Sequence, residues 1–107
     1  MIFKIDPIFD EYLEYFHAFL DSKKLNVTQE RNMILRSVYE METLFTKELL
    51  KEYLRKKNRC VSISTLYSTL ELFLESGLLK KDRIASKKKE QQYKINELSF
   101  LLKKTDK

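Results

Sequence analysis

The only proline of this chain is Pro7 and the only glycine is Gly77. Tight turns and β-rich architectures draw heavily on both residues, so the long stretch between them must be mostly helices joined by short polar links. Leu, Lys and Glu, all good helix formers, dominate it. A length of 107 residues, 43% of them hydrophobic, suits one domain with one compact core.

Hydrophobic spacing locates the helices. Asp6 is placed to cap a first helix with Pro7 at its first position. Phe9, Tyr12, Leu13, Phe16, Phe19 and Leu20 then recur as one apolar stripe. Thr28 begins a second helix, lined by Val27, Ile34, Leu35, Val38 and Met41. "ETLF" turns the chain, and Thr46 begins a third with Leu49, Leu50, Tyr53 and Leu54 on its apolar side. Ser62 has an N-cap's hydroxyl ahead of a fourth, in which Ile63, Leu66, Leu70, Phe73 and Leu74 face inward. Gly77 suits the left-handed position that ends it. "LLKKDRI" and "QQYKI" read as two short strands joined by the turn "ASKKKE". A last short helix carries Leu98, Leu101 and Leu102 on one side.

This order predicts a mostly α fold with a small β-hairpin: a winged helix-turn-helix with an extra N-terminal helix. The expected divisions are an N-terminal helix over 1–22, a winged-helix core over 24–95 and a tail or short helix over 96–107. The fourth helix is greasy at its back and polar but uncharged at its front. Ser62, Ser64, Thr65, Tyr67 and Ser68 crowd its first turns, and no carboxylate occurs before Glu71. Such an end enters the major groove when a helix reads DNA, because hydroxyls donate to phosphates and base edges whereas carboxylates repel them.

Charge patterning agrees. Residues 1–22 carry Asp6, Asp10, Glu11, Glu14 and Asp21 against Lys4 alone, so against a net charge of +5 the rest of the chain carries +9. The densest basic run is Lys80, Lys81, Arg83, Lys87, Lys88, Lys89 and Lys94, which predicts a basic wing lying along phosphates and an acidic back. Lys56, Lys57 and Arg59, ahead of the reading helix, are expected to add backbone contacts.

The stretches "LNVTQERNMIL", "FTKELLKEYL" and "VSISTLYSTLELFLESGLL" together resemble the DNA-binding half of the ferric uptake regulator family of bacterial repressors. The resemblance covers about residues 24–95 and implies a sequence-specific double-stranded DNA-binding protein and transcriptional regulator. By that resemblance Tyr67 is the recognition tyrosine, Ser64 and Thr65 occupy neighbouring reading positions, and Arg31 helps hold the phosphate backbone. Two positions depart from the pattern. Ser68 stands where the family has an arginine, and Asn26 where it has a minor-groove lysine. Losing both cations is expected to weaken phosphate affinity, with Lys23 and Lys24 partly compensating.

In the family a dimerisation domain with histidine-rich and Cys-x-x-Cys metal sites follows the wing. His17 and Cys60 are the only His and Cys here, too few for a tetrahedral nitrogen/sulfur site. No metal and no cofactor are therefore expected. The first helix and the Leu98–Leu102 segment are the candidate interfaces of a homodimer. No Ser/His/Asp or Cys/His set or phosphate-cradling glycine loop can be assembled, so no enzyme and no catalytic residue are expected. The alternative function is a winged-helix protein-interaction module that does not bind DNA, which the uncharged Ser68 and Asn26 favour. A single cysteine permits no intrachain disulfide, and no signal-like or membrane-length apolar run occurs. A cytoplasmic location without membrane contact is expected.

Overall fold

The computed structural model describes residues 6–82 and 91–105. Five helices and two strands follow in the order α1 (Pro7–Ser22), α2 (Gln29–Met41), α3 (Lys47–Lys56), α4 (Ile63–Ser76), β1 (Leu79–Asp82), β2 (Gln92–Ile95) and α5 (Leu98–Thr105). Each of the first four helices starts on the expected cap. The side chains of Asp6, Thr28, Thr46 and Ser62 accept hydrogen bonds from the backbone N–H groups of Phe9, Arg31, Leu49 and Thr65. Gly77 closes α4 at φ 89°, a conformation only glycine adopts without strain. The fold is a winged helix with α1 packed in front.

The strands pair antiparallel, with Leu79 opposite Ile95 and Lys81 opposite Tyr93. Phe45 departs from the expected reading of "ETLF" as a plain turn. It forms a β-bridge with Tyr93, exchanging backbone hydrogen bonds of 3.0 and 2.8 Å, and its ring is buried against the tyrosine at 5.7 Å between centroids. The bridge anchors the wing to the loop before α3.

The core joins all five helices and the hairpin, with Leu50 and Leu54 of α3 and Leu101 of α5 among its buried members. Phe16 and Phe73 meet edge-on at 4.8 Å, the preferred geometry of an aromatic pair. Tyrosine hydroxyls satisfy carbonyls at the rim: Tyr12 donates to Asn96 O at 2.7 Å and Tyr15 to Ser76 O at 2.5 Å. Burial pushes both phenol pKa values up. The Asn96 amide donates to Gly77 O at 2.6 Å, so one buried residue ties the α4–β1 corner to the end of β2 and to α1.

Three expected core residues are outside the core. Val27 is 50%, Leu49 53% and Ile63 49% exposed. Each lies at or beside a helix start, where the face is not yet covered by a neighbour. Ser37 and Thr69 are fully buried instead.

Arg59 also differs from expectation. Its guanidinium turns inward, donating to Ser37 Oγ at 2.8 Å and to Glu40 at 3.0 Å. Tyr53 and Arg36 donate to the same carboxylate at 2.8 and 2.9 Å. Arg59 is thus a structural ion-pair partner, not a free phosphate contact. Burial works to raise the Glu40 pKa, but hydrogen bonds from Arg59, Tyr53 and Arg36 outweigh it and hold the carboxyl at about 2. A pKa held below its ordinary value stabilises the fold above about pH 4.5, and the contribution is lost as pH falls through about 2. Glu40→Gln is expected to lower the free energy of unfolding at pH 7 by roughly 1–3 kcal/mol. In urea titrations across pH, the gap between variant and unaltered protein is expected to close between about pH 4.5 and 2.

Candidate nucleic-acid interface

The first two turns of α4 form an uncharged polar surface. Ser62, Ser64 and Ser68 are exposed, and Thr65 and Tyr67 are half-buried. Their hydroxyls are partly organised before any ligand arrives. Ser62 Oγ lies 2.8 Å from Thr65 Oγ1, and Ser68 donates to Thr65 O at 3.2 Å. Ser62 therefore works as the cap, leaving Ser64, Thr65, Tyr67 and Ser68 as the outward set. Tyr67 packs against the core edge, and the Lys47 ammonium lies 4.5 Å from its ring centroid, within cation–π range. Lys47 is not placed beside Tyr67 by helical spacing alone. Its signal is a cation directly after the N-cap Thr46, where the helix dipole disfavours one.

A second group lies in the α1–α2 loop. Lys24 is exposed and left-handed at φ 60°. Arg31 donates to Asn26 O at 2.5 Å, so its guanidinium is parked along the loop. The ion pair between Lys23 and Glu75 sets this loop at the far end of α4. Glu75 follows Ser64 by eleven positions, about 16 Å along the helix. Lys23, expected to help hold phosphate, is engaged by that carboxylate and lies over the Phe19 ring.

The wing supplies the third group. Lys80 and Lys94 are exposed and directly opposite each other across the hairpin, on the face turned away from Leu79 and Tyr93. Lys81, exposed, stands opposite Tyr93. The lysine-rich turn with Arg83, Lys87, Lys88 and Lys89 lies outside the described residues, as does the side chain of Leu102. Lys56 and Lys57 are exposed at the end of α3, with Lys57 over the Tyr53 ring.

The sequence profile described as "Ferric uptake regulator family" matches residues 22–101. The chain belongs to the ferric uptake regulator family. Among solved structures, the Helicobacter pylori regulator Fur superposes with a TM-score of 0.69 at 20% identity, covering 81% of this chain and 57% of that one. PerR from Streptococcus pyogenes gives 0.64 at 17%, covering 82% and 56%. Vibrio cholerae Fur gives 0.60 at 19%, covering 74% and 60%. At these identities the likeness shows the fold. The chain spans somewhat over half the length of these relatives. Direct comparison with curated protein sequences finds no match.

The Helicobacter protein is described as having three functional metal-binding sites. The described residues of this family member do not fit such a group. None of them form a cluster of three or more His, Cys, Asp or Glu side chains. His17 Nε2 is bonded to Asn32 Oδ1 at 2.9 Å, and Cys60 lies exposed in the α3–α4 link. No helix among the described residues is long and apolar enough to cross a membrane. Melting curves of the 107-residue chain in chelator and in excess zinc, iron(II) or manganese(II) are expected to coincide. A stoichiometric rise in Tm with one of these ions would contradict this donor geometry.

Proposed function

We propose that this family member binds double-stranded DNA in a sequence-specific manner and acts in transcriptional regulation, as a binding protein without catalytic activity. One observation carries the reading. The outward face of the first turns of α4 presents Ser64, Thr65, Tyr67 and Ser68 with no carboxylate among them, on a winged-helix scaffold whose hairpin presents Lys80 and Lys94. Family membership supports the regulatory role.

In this reading the start of α4 lies in the major groove and Tyr67 and its neighbours touch base edges. The wing cations Lys80, Lys81, Arg83, Lys87, Lys88, Lys89 and Lys94 run along phosphates, and Lys24, Asn26 and Arg31 meet the backbone from the far end of α4. Residues 1–107 act as one domain, since α1 contributes Phe9, Tyr12, Phe16 and Leu20 to the shared core. That stripe is spent inside the chain. Among the described residues, the exposed large apolar side chains left on the two candidate dimer helices are Ile8 on α1 and Phe100 on α5.

The competing reading is a protein-docking module, favoured by the missing cations at Ser68 and Asn26. Selection of bound duplexes from a random pool separates the two. Enrichment of a motif with steeply salt-dependent affinity supports DNA reading, and a palindromic motif supports a dimer. A pool that stays random contradicts it.

Two substitutions sort the contacts. Tyr67→Phe is expected to leave Tm nearly unchanged and to weaken binding to the selected duplex by about 1 kcal/mol, the order of one net hydrogen bond. Lys80→Ala with Lys94→Ala is expected to weaken binding to all duplexes alike. Fluorescence titration at several salt concentrations should show the log–log slope flattened by about 1.8, or 0.9 per lost phosphate contact.

A further inference from the structure

Lys47 is the first residue of α3, and its ammonium is held 4.5 Å from the Tyr67 ring centroid on α4. Two features make a purely structural role a poor account of it. A cation in the first turn of a helix opposes the helix dipole. No carboxylate among the described residues pairs with it, and the adjacent Glu48 is engaged by Lys51 at 3.5 Å. The ring therefore holds a charge that its own helix disfavours. Lys47 also lines a groove of about 280 Å³ with Thr46, Glu48, Gln91 and Tyr93, between the start of α3 and the root of the wing. It thus stands where the reading turns of α4 and the hairpin converge. Arg59, the cation just before α4, is turned inward on Glu40 and unavailable there.

We propose that Lys47 is a phosphate-contacting residue of the DNA interface, held over Tyr67 so that a backbone phosphate is gripped beside the base Tyr67 touches. This rests on the DNA reading above. An ammonium on an aromatic face keeps its outward hydrogens free to donate to an anion. The contact carries no base information of its own and fixes the register in which Tyr67 meets its base.

The test compares the unaltered chain with K47M, K47Q and K47R on the selected duplex and on a scrambled one, by fluorescence anisotropy from 0.1 to 1 M salt. Each neutral variant is expected to lose about eightfold in affinity at 0.1 M salt on both duplexes and to flatten the log–log slope by about 0.9, with the affinity loss vanishing towards 1 M. K47R is expected to restore both. An unchanged slope in the folded neutral variants overturns the proposal, even where affinity drops, and leaves Lys47 as a support for Tyr67. Two neutral variants keep a folding defect in one from deciding the matter. If the unaltered chain binds no duplex at any salt, the DNA reading itself fails, which the first titration reveals before any variant is compared.

Discussion

The Glu40 carboxylate sits where three segments must agree. Tyr53 reaches it from α3, Arg36 from its own helix and Arg59 from the link that launches α4. Arg59 turned inward acts together with the left-handed Asn58 in setting the direction in which the chain leaves α3. The orientation of α4 is in turn what lets Phe73 meet Phe16 and carries the Ser64–Ser68 surface outward. A partly buried ion pair adds little net stability over an apolar substitute, but removing one partner strands the other. The cluster thus acts more on geometry than on total stability.

Shortage of glycine shapes the connections. Helix ends usually turn through a left-handed residue, and only one glycine is present. Lys24, Glu42 and Asn58 take that conformation instead, at φ 60°, 56° and 57°. A side chain there costs about 1–2 kcal/mol. Hydrogen bonds reaching back across the turn, Leu25 N to Leu20 O at 2.8 Å and Arg59 N to Leu54 O at 2.9 Å, offset it. The side chain that glycine would lack is useful at Lys24, which puts a cation on the outer loop.

Local chemistry was readable in the chain and distant pairing was not. Asp6, Thr28, Thr46, Ser62 and Gly77 act within a few residues of themselves, and all cap as expected. Phe45 is buried because Tyr93, far along the chain, bridges to it. Arg59 is inward because Ser37 and Glu40 stand on another helix. Ile63 and Leu49 have the right spacing for a core but no neighbour to cover them. The same limit applies to the interface. The polar face of α4 follows from helical period alone, whereas the closeness of Lys47 to Tyr67 depends on α2, against which both α3 and α4 pack.

Lys80 and Lys94 face each other across a two-stranded ladder, and like charges so placed weaken the pairing. The free hairpin therefore carries built-in repulsion at its outer face. A polyanion laid there screens both ammonium groups at once and turns the repulsion into a shared grip. Strand pairing and occupancy are in that way thermodynamically linked: whatever binds this face tightens the hairpin, and a looser hairpin binds less well. A polyanion bound along this face would stiffen the wing.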